Sequence, residues 1–492
     1  MDRLRICLAA AEAAPFAKTG GLADVTAALT RELHRRGHDL RLFLPLYRRI
    51  REAARSEDAA FELEPDPELQ GLPIWLDGRE WHFGIQRAPL AEDGPRILLV
   101  DCPELYDRED LYGDGPDEPL RWALLAHAAL HTCQRLGFAP QILHAHDWHA
   151  ALLPLLVRTH YAWDRLFEET RTVLTLHNLG YQGVFPAEWA ERLGFAGERE
   201  RLPAEDLAQG VFNFLKTGIL ETDLLTTVSP TYAREIQTPE QGHGLDGVLR
   251  ERSGRLLGIL NGVDTGEWSP AEDRYLPATY DARDLAGKAV CRETLLRRFH
   301  LAPRGEGPVL GIVSRLVWQK GIELLEQVLP VALEREDLRL CVLGTGEERY
   351  ERFFHWLQEA FPGRAGFHCG FSNELAHLVE AGSDLFLMPS RYEPCGLNQM
   401  YSMLYGTPPV VRRTGGLADT VREWDPEART GTGFLFEAFE AEGLFQALTR
   451  ALRAWRDPEG WRVLMRNGML QDFSWSRRAD SWLEVFQRLL AN

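Results

Sequence analysis

Lysine is nearly absent from this sequence. Of its 55 basic residues only four are lysine, Lys18, Lys216, Lys288 and Lys320, and the remainder are arginine. Because lysine is so rare, its presence at Lys18 beside a glycine-rich turn indicates a site that needs a compact ammonium group. Chance placement is the alternative, and composition alone does not exclude it.

Positive net charge, paired cysteines and long apolar runs are also lacking. The formal net charge is −18, which argues against nucleic acid and anionic membranes as partners, so a phosphate-bearing ligand needs a local basic cluster. Seven cysteines without a C-x-x-C pair indicate reduced thiols. The apolar run 6–11 is short and stops at Glu12, which predicts a first strand rather than a secretion signal, and no run is long enough to cross a membrane. We expect a cytoplasmic protein.

A six-residue segment occurs twice. Thr19 to Asp24 reads Thr-Gly-Gly-Leu-Ala-Asp, and the same letters return at 414–419. Each copy follows an apolar run, and after the first copy Leu22, Leu29 and Leu33 recur at helical spacing until Gly37. A Gly-Gly pair at a helix start lets a ligand approach the backbone and leaves unpaired N–H groups for an anion. Two unrelated tight turns are the alternative, but the repeat favours two similarly built lobes that offer glycine loops to one shared cleft.

Length and alternation predict the fold class. A chain of 492 residues is too long for one core. Strand-like runs alternate with helical ones, which predicts α/β domains with mostly parallel, doubly wound sheets. The runs in the first half are 6–11, 40–44, 96–100, 142–144, 172–176 and 224–228. A surface excursion with a hairpin is expected at 51–95, and Ser229-Pro230 reads as a helix start.

Polar residues follow the predicted strands of the first half, where such sheets bind ligands. They include the stretch 12–21, the run 144–149 and His177-Asn178. The run His146-Asp147-x-His149 lacks the spacing of a zinc pair on one helix face, so no metal is predicted. Hydrogen bonding to a polyhydroxylated ligand suits these side chains, and satisfied core histidines are the alternative.

The second half repeats the alternation. A turn at 261–264 and a stretch to about 284 look like a link between the lobes. After the strand-like run 309–313, Arg315 and Lys320 flank a strand-to-helix loop, which suits a diphosphate, although an ordinary exposed basic pair reads the same way. The run 384–389 leads to Glu393 and then Cys395, for which packing is a better interpretation than a reactive thiolate because no base is evident nearby.

Two alternative enzyme classes, an NAD-dependent dehydrogenase and a pyridoxal-phosphate phosphorylase, are disfavoured by the sequence. The motif at 344–349 reads G-x-G-x-x-R, so the dinucleotide fingerprint fails at Arg349. A pyridoxal-phosphate phosphorylase needs a late lysine, and none follows Lys320. We place the domains at 1–260 and 261–472, and we expect a closing helix within 473–492 to pack back on the first.

In this order the motifs resemble the starch and glycogen synthase branch of retaining glycosyltransferases, along essentially the whole chain. The motifs that carry the resemblance are Lys18–Val25, His144–Trp148, His177-Asn178, Asn261–Asp264, Ser314–Leu316, Gln319–Gly321, Pro389–Leu397 and Arg412–Asp419. Lys-Thr-Gly-Gly-Leu together with Glu-Pro-Cys-Gly-Leu is highly specific.

The resemblance implies a GT-B fold, two Rossmann-like domains that face each other across a deep cleft. It implies that ADP-glucose is the donor and the end of an α-1,4-glucan the acceptor. Lys18, His177, Arg315, Lys320 and Glu393 would be catalytic. The implied substrate-binding residues are Thr19, Gly20, Gly21, Asp147, Asn178, Asn261, Phe371, Cys395, Gly396, Leu397, Thr414, Gly415 and Gly416. Phe371 stands where these enzymes usually have tyrosine against adenine, and Tyr401 replaces a second glutamate found in many related transferases.

The residues agree with that chemistry. Basic side chains and helix N-termini can stabilise a departing nucleoside diphosphate without a metal or other cofactor. No close carboxylate pair stands out, so we expect front-face departure and attack rather than a covalent intermediate. Other GT-B sugar transferases and a non-catalytic glucan-binding protein are the rival interpretations. Oligomeric state, regulation and the choice between ADP and UDP stay open.

Overall fold

The computed structural model describes residues 3–56, 59–90, 94–303 and 307–491. Its internal contacts divide the chain into two compact units. The first comprises Met1–Val228, Ala233–Ile259 and Trp475–Asn492, and the second comprises Ser229–Tyr232 and Leu260–Ser474. No helix among the described residues is both long and apolar enough to cross a bilayer.

The first unit is built on a ten-stranded sheet within the described ranges, ordered β12-β11-β8-β7-β1-β2-β6-β5-β3 with β4 paired to β5. Its strands are β1 (Arg5–Ala9), β2 (Asp39–Pro45), β3 (Glu64–Pro65), β4 (Leu72–Leu76), β5 (Arg79–Pro89), β6 (Arg96–Asp101), β7 (Ile142–His146), β8 (Arg171–Leu176), β11 (Leu224–Thr227) and β12 (Leu256–Gly258). A separate antiparallel pair joins β9 (Val184–Pro186) and β10 (Val211–Asn213). From β12 to β6 all neighbours are parallel, as the alternating sequence predicts.

Helices surround this sheet. They are α1 (Gly21–Arg35), α2 (Arg48–Arg55), α3 (Pro103–Tyr106), α4 (Glu118–Arg135), α5 (Asp147–Ala150), α6 (Leu153–Arg158), α7 (Glu188–Arg192), α8 (Ala204–Ala208), α9 (Phe214–Glu221), α11 (Asp246–Glu251) and α20 (Trp475–Ala491). Helix α10 (Pro230–Glu235) is divided between the two units, with Pro230–Tyr232 in the second and Ala233–Glu235 in the first. The predicted start at Ser229-Pro230 is confirmed, since the Ser229 hydroxyl accepts the N–H of Tyr232 at 2.9 Å.

The second unit has a six-stranded parallel sheet in the described part of the chain, ordered β15-β14-β13-β16-β17-β18. The strands are β13 (Val309–Val313), β14 (Arg339–Gly344), β15 (Ala365–Cys369), β16 (Leu385–Met388), β17 (Pro409–Arg412) and β18 (Phe434–Phe436). The helices are α12 (Ala286–Arg298), α13 (Ile322–Arg335), α14 (Glu348–Ala360), α15 (Asn373–Gly382), α16 (Asn398–Leu404), α17 (Gly415–Thr420), α18 (Ala441–Trp455) and α19 (Pro458–Met469). The strand order reverses between β13 and β16, the place where such sheets bind ligands.

Helix α1 forms as its pattern predicts. Its apolar positions Leu22, Val25, Leu29 and Leu33 are buried, and each buried side chain of this size contributes about 1.5–3 kcal/mol. Beyond its end Gly37 adopts φ +87°, the left-handed conformation typical of a helix C-terminus.

The closing helix α20 packs in the first unit. Trp482 lies with its ring centroid 4.9 Å from that of His144 on β7, and Asp480 forms an ion pair with Arg36 just after α1. These contacts link the end of the chain to the two elements that carry the glycine loop and the histidine run.

The structure alters two expectations. The hairpin expected within 51–95 is confirmed as β4 and β5, but β5 also pairs with β6 and so extends the main sheet. The stretch 261–284 is not a link: Trp268 stacks on His377 and Tyr401, with both centroid distances 3.8 Å, and Asp273 accepts a 2.7 Å hydrogen bond from His377. Partners more than a hundred residues away hold this segment in the second unit, and local composition does not reveal them.

Candidate active site

The first glycine loop is held by a buried carboxylate. Glu12, at the end of β1, accepts hydrogen bonds from the Thr19 N–H at 2.5 Å, the Thr19 hydroxyl at 2.6 Å and the Gly20 N–H at 3.3 Å. The Tyr112 hydroxyl donates to the same carboxylate. The prediction that the N–H groups of the Gly-Gly pair are unpaired and available to an anion is therefore wrong for Gly20.

Gly20 itself leaves space in the loop. Its φ of −158° is extended backbone that any residue adopts, and a Cβ built there meets no atom within 4 Å. Neither strain nor crowding in the first unit requires a glycine, so the missing side chain leaves room for a ligand. Beside it Lys18 is 46% exposed and pairs with Asp24 at 2.7 Å, which holds the ammonium group at the loop.

Asp147 fixes the turn that follows β8. It is buried at the end of β7 with φ +55°, a left-handed conformation uncommon outside glycine. Its carboxylate accepts the backbone N–H of His177 at 2.6 Å, and the backbone of Asn178 also donates to it. Burial raises the pKa of Asp147 to about 7, against the lowering effect of these backbone hydrogen bonds. The predicted residues Asp147, His177 and Asn178 thus lie together.

The histidines around this turn are neutral. Burial lowers the pKa of His177 and of His144 to about 3. His146 Nδ1 and His177 Nε2 share a 3.0 Å hydrogen bond, and His144 Nε2 bonds the Thr175 hydroxyl at 2.7 Å. In the described ranges no group of three or more histidine, cysteine, aspartate or glutamate side chains is arranged to hold a metal ion.

In the second unit two predicted catalytic residues are in direct contact. The Nζ of Lys320 lies 2.6 Å from Oε2 of Glu393, and Glu393 is only 5% exposed. The Ser390 hydroxyl donates to the same carboxylate oxygen at 3.0 Å. A buried carboxylate with a lysine on one side can bind sugar hydroxyls while the ammonium group faces negative charge.

The loops that carry these residues pack together. Gly321 has φ +69°, and a Cβ there would lie 2.1 Å from the Pro389 carbonyl oxygen, so the turn after Lys320 requires glycine. The backbone N–H of Arg391 donates to the backbone carbonyl of Gln319 at 2.9 Å. The Arg391 guanidinium lies 4.3 Å from the centroid of Trp318 and forms an ion pair with Glu323.

The second copy of the repeat differs from the first in its contacts. Gly415 has φ +45°, and a Cβ there would lie 1.9 Å from the Glu393 carbonyl oxygen. The Gly416 N–H donates to the carbonyls of Glu393 and Pro394 at 3.1 and 3.2 Å. The glycines of this copy therefore let α17 pack against the backbone of the Glu393 loop, where Thr414 is also buried.

The other predicted site residues lie around these contacts. Cys395 and Asn261 are buried, Gly396 has φ +70°, and Leu397 is half-buried. Arg315 and Phe371 are exposed, and within the described chain neither side chain makes a hydrogen bond or an ion pair. Contacts thus join Lys320, Glu393 and 414–416 in the second unit, whereas the shared cleft and the individual residue roles stay predictions.

Sequence reasoning assigned no role to three residues that hold this site. Glu12 anchors the first loop, and Ser390 and Arg391 support the Glu393 loop. Glu12 had a signal, because it is a carboxylate at the carboxyl end of the first strand. The contacts of Arg391 with Trp318 and Glu323 arise from tertiary packing and leave no pattern in the sequence.

Comparison with known proteins agrees with this architecture. Residues 5–251 match the family model described as starch synthase catalytic domain, and residues 296–462 match that of glycosyl transferases group 1. The chain is 45% identical over 496 residues to the glycogen synthase of Myxococcus xanthus (strain DK1622), covering 99% of this chain and 100% of that protein. It is 44% identical over 490 residues to the glycogen synthase of Koribacter versatilis (strain Ellin345), covering 99% and 98%.

A solved structure extends the likeness to three dimensions. The catalytic domain of starch synthase IV from Arabidopsis thaliana, bound to ADP and acarbose, is 33% identical, with a TM-score of 0.91 and full coverage of both chains. The predicted GT-B fold and glycosyltransferase activity are confirmed. The chain belongs to the starch and glycogen synthase family of glycosyltransferases.

Proposed function

We propose that this protein is a glycogen synthase that transfers glucose from ADP-glucose to the non-reducing end of an α-1,4-glucan with retention of configuration. Two relatives that match it over 98% and 100% of their length are named glycogen synthases. The related starch synthase IV structure holds ADP and acarbose. The observation that carries the proposal is the contact of Lys320 with the buried carboxylate of Glu393.

This contact supports the binding of a sugar diphosphate. Glu393 accepts from Lys320 and from Ser390, and its remaining acceptor capacity suits the hydroxyls of the transferred glucose. The Lys320 ammonium and the Arg315 guanidinium then meet the diphosphate as its negative charge develops on departure. Phe371, exposed after β15, is proposed to stack on the adenine.

The turn at His177 is proposed to steady the sugar as the bond to the diphosphate breaks. Asp147 accepts the His177 N–H and so fixes the peptide units of the turn. A fixed carbonyl dipole there would stabilise positive charge on the anomeric carbon during a front-face reaction. Trapping a covalent glucosyl-enzyme would contradict this mechanism.

The side chains in this proposal act without a metal or another cofactor. Arginine and lysine supply the positive charge that a divalent cation supplies in many nucleotide enzymes. Transfer should therefore persist in excess EDTA, and its loss there with recovery on adding Mg²⁺ would contradict the proposal. A cytoplasmic location, with neither nucleic acid nor membrane as a partner, belongs to the same proposal.

Donor choice is the direct test of this function. The purified protein is incubated with glycogen and either ADP-[14C]glucose or UDP-[14C]glucose, and the label in precipitated polymer is counted. We expect incorporation from ADP-glucose at a higher kcat/KM than from UDP-glucose. Preference for UDP-glucose would correct the donor, whereas glycogen binding with no incorporation from either donor would support the rival glucan-binding protein.

A further inference from the structure

The second unit carries a cleft at the edge of its sheet opposite to Lys320 and Glu393. The cleft has a volume of about 950 Å³ and is lined by α12, the end of α18, α19 and the chain that leads into β13, β14 and β16. Because these strands are parallel, their amino ends share one edge, whereas the predicted catalytic residues of this unit follow the carboxyl ends. The volume lies in the range of small-molecule sites. The proposed reaction gives this cleft no role.

Large apolar side chains form one part of the lining. Trp461 on α19 and Trp455 at the end of α18 meet edge to face, with their ring centroids 5.1 Å apart. Leu285, Leu452 and Met465 also line the cleft. A ligand with an apolar body removes these side chains from water when it binds, which is favourable in proportion to the area covered. The cleft therefore favours an apolar body over a fully polar ligand.

Trp461 also leaves a hydrogen-bond donor unused. Only 5% of this residue is exposed, yet within the described residues its indole N–H makes no hydrogen bond. An indole nitrogen can only donate, and a buried one usually has an acceptor. The unused donor of a side chain that lines the cleft indicates an occupant with an acceptor oxygen.

The carboxylates of the lining are already matched by arginine. The three ion pairs are Asp384–Arg292 at 3.0 Å, Glu336–Arg456 at 3.1 Å and Asp337–Arg339 at 2.5 Å. Asp384, the most buried of these carboxylates, also accepts the backbone N–H of Val309 at 2.8 Å. Because each carboxylate has a cationic partner, the cleft offers little attraction to a metal ion or an organic cation.

Two basic residues of the lining lack such a partner. In the part of the chain that the structure describes, the exposed Arg462 makes neither a hydrogen bond nor an ion pair. Lys288 is buried and donates to uncharged oxygens, the carbonyls of Ala381 at 2.8 Å and Tyr405 at 3.0 Å and the hydroxyl of Thr407 at 2.7 Å. Burial lowers the pKa of Lys288 to about 8, so the group is still charged at pH 7. This excess of positive charge favours an anion.

We propose that this cleft binds a small organic anion that joins an apolar body to a phosphate, carboxylate or sulfonate group. The apolar body packs on the tryptophan and leucine side chains, and the anionic group meets Arg462 and accepts the N–H of Trp461. The cleft shares no residue with the site proposed for glucose transfer. The inference therefore goes beyond the proposed function and does not depend on it.

The probe is 8-anilinonaphthalene-1-sulfonate, an aromatic ring system that carries one anionic group. Its fluorescence is titrated with the full-length protein in saturating ADP, which keeps the nucleotide site occupied. Because Arg462→Ala removes the charge contact and Arg462→Glu adds repulsion, we expect Kd to rise about fivefold and about tenfold or more, respectively. Arg462→Lys keeps the charge and should stay within about twofold. Trp461→Phe keeps a ring but loses the donor, so Kd should rise about threefold.

Arg453 supplies the matched control. It is an exposed arginine on α18 that makes no hydrogen bond or ion pair with the described residues and does not line the cleft. Arg453→Ala and Arg453→Glu change the net charge as the Arg462 variants do, and both should keep the wild-type Kd for the probe.

Competition separates the parts of the ligand. Displacement of the probe by 1-naphthyl phosphate or by 1-naphthoate supports the proposal and shows which anionic group the cleft prefers. Inorganic phosphate lacks the apolar body and 1-naphthalenemethanol lacks the charge, so each should displace the probe about tenfold less effectively than the better of the two anions.

Three results would overturn the proposal. They are the absence of bound probe in saturating ADP, the same Kd in Arg462→Glu as in the wild type, or displacement by 1-naphthalenemethanol as effective as that by the two anions. Each can be found in a protein that still incorporates glucose from ADP-glucose. Failure of the anion cleft is therefore distinguishable from failure of the proposed function.

Discussion

Lys320 and Glu393 form a 2.6 Å ion pair although 73 residues separate them in the chain, and the carboxylate is almost completely buried. One residue follows β13 and the other follows β16, the two strands between which the order of the second sheet reverses. The fold therefore brings a cation and a buried carboxylate to one place at the carboxyl ends of parallel strands.

Glu393→Ala is expected to reduce turnover more than nucleotide affinity. The carboxylate is proposed to bind the glucose hydroxyls, so kcat should fall by about a hundredfold, while the Kd for ADP, measured by calorimetry, changes by less than about threefold. Glu437→Ala is the control, since Glu437 belongs to an exposed ion pair with Arg413 in the same unit. Glucan synthesis near the wild-type rate in Glu393→Ala would show the sugar-pocket assignment to be wrong.

Lys18→Gln should weaken the use of ADP-glucose while the fold stays intact. The ammonium group is half-exposed beside the first glycine loop, and losing one charge-assisted contact lowers kcat/KM about tenfold to a hundredfold. Lys216→Gln removes the lysine of another Lys–Asp pair in the same unit, with Asp206 at 2.5 Å, and should keep its activity. Equal kcat/KM values for ADP-glucose in the two variants would contradict a donor role for Lys18.

A methyl group should affect the two copies of the repeat differently. In the first copy it should reduce activity with little loss of stability, and in the second copy it should reduce stability. Gly20→Ala places a Cβ in open space, so thermal unfolding should show a loss below about 1 kcal/mol, with a marked fall in glucose transfer. Gly415→Ala forces a Cβ against the Glu393 carbonyl in a left-handed backbone, so it should lose about 1–3 kcal/mol or more. Full activity in a stable Gly20→Ala protein would contradict the inference that the open space at Gly20 is occupied by a ligand.

Asp147 should make stability depend on pH. Burial raises its pKa from an ordinary 3.8 to about 7 in the folded protein, whereas the unfolded carboxyl group titrates near 4. Between these values the folded state keeps a proton that the unfolded state has lost, so rising pH favours unfolding. The stabilising contribution is fully present below about pH 4 and is lost as the pH rises to about 7.

Asp147→Asn isolates this effect because an amide does not titrate. The free energy of unfolding of the wild type, minus that of the variant, should decrease between pH 4 and pH 7 when measured by urea titration. A difference that stays constant or increases with pH would mean that folding does not raise the pKa of this carboxyl group.

Local sequence patterns predicted most of the framework. The strands and helix α1 follow from apolar runs, 3.6-residue spacing and terminal glycines, all of which act within a few residues. The stretch 261–284 was misread because Trp268 and Asp273 find their partners, His377 and Tyr401, only in tertiary structure.

In the candidate site, too, tertiary contacts could not be predicted from local sequence. The repeated hexapeptide predicted two equivalent anion loops, yet identical letters fold into different contacts. Asp24 pairs with Lys18, whereas its counterpart Asp419 accepts hydrogen bonds from Ser229 and Thr231. In the first loop Glu12 takes the Thr19 N–H. The hydrogen-bond partners of each loop are side chains that come close to it only in the folded protein, so the sequence of the loop does not predict them.

In the proposed reaction arginine and lysine side chains allow glucose to pass from ADP-glucose to the end of a glucan with retained configuration. The most direct measurement incubates the protein with ADP-[14C]glucose and glycogen in EDTA, then digests the polymer with β-amylase, which cleaves α-1,4-linked ends. Label should enter the polymer and be released by the enzyme as maltose. Label that stays in ADP-glucose, appears only as free glucose, or resists β-amylase would contradict it.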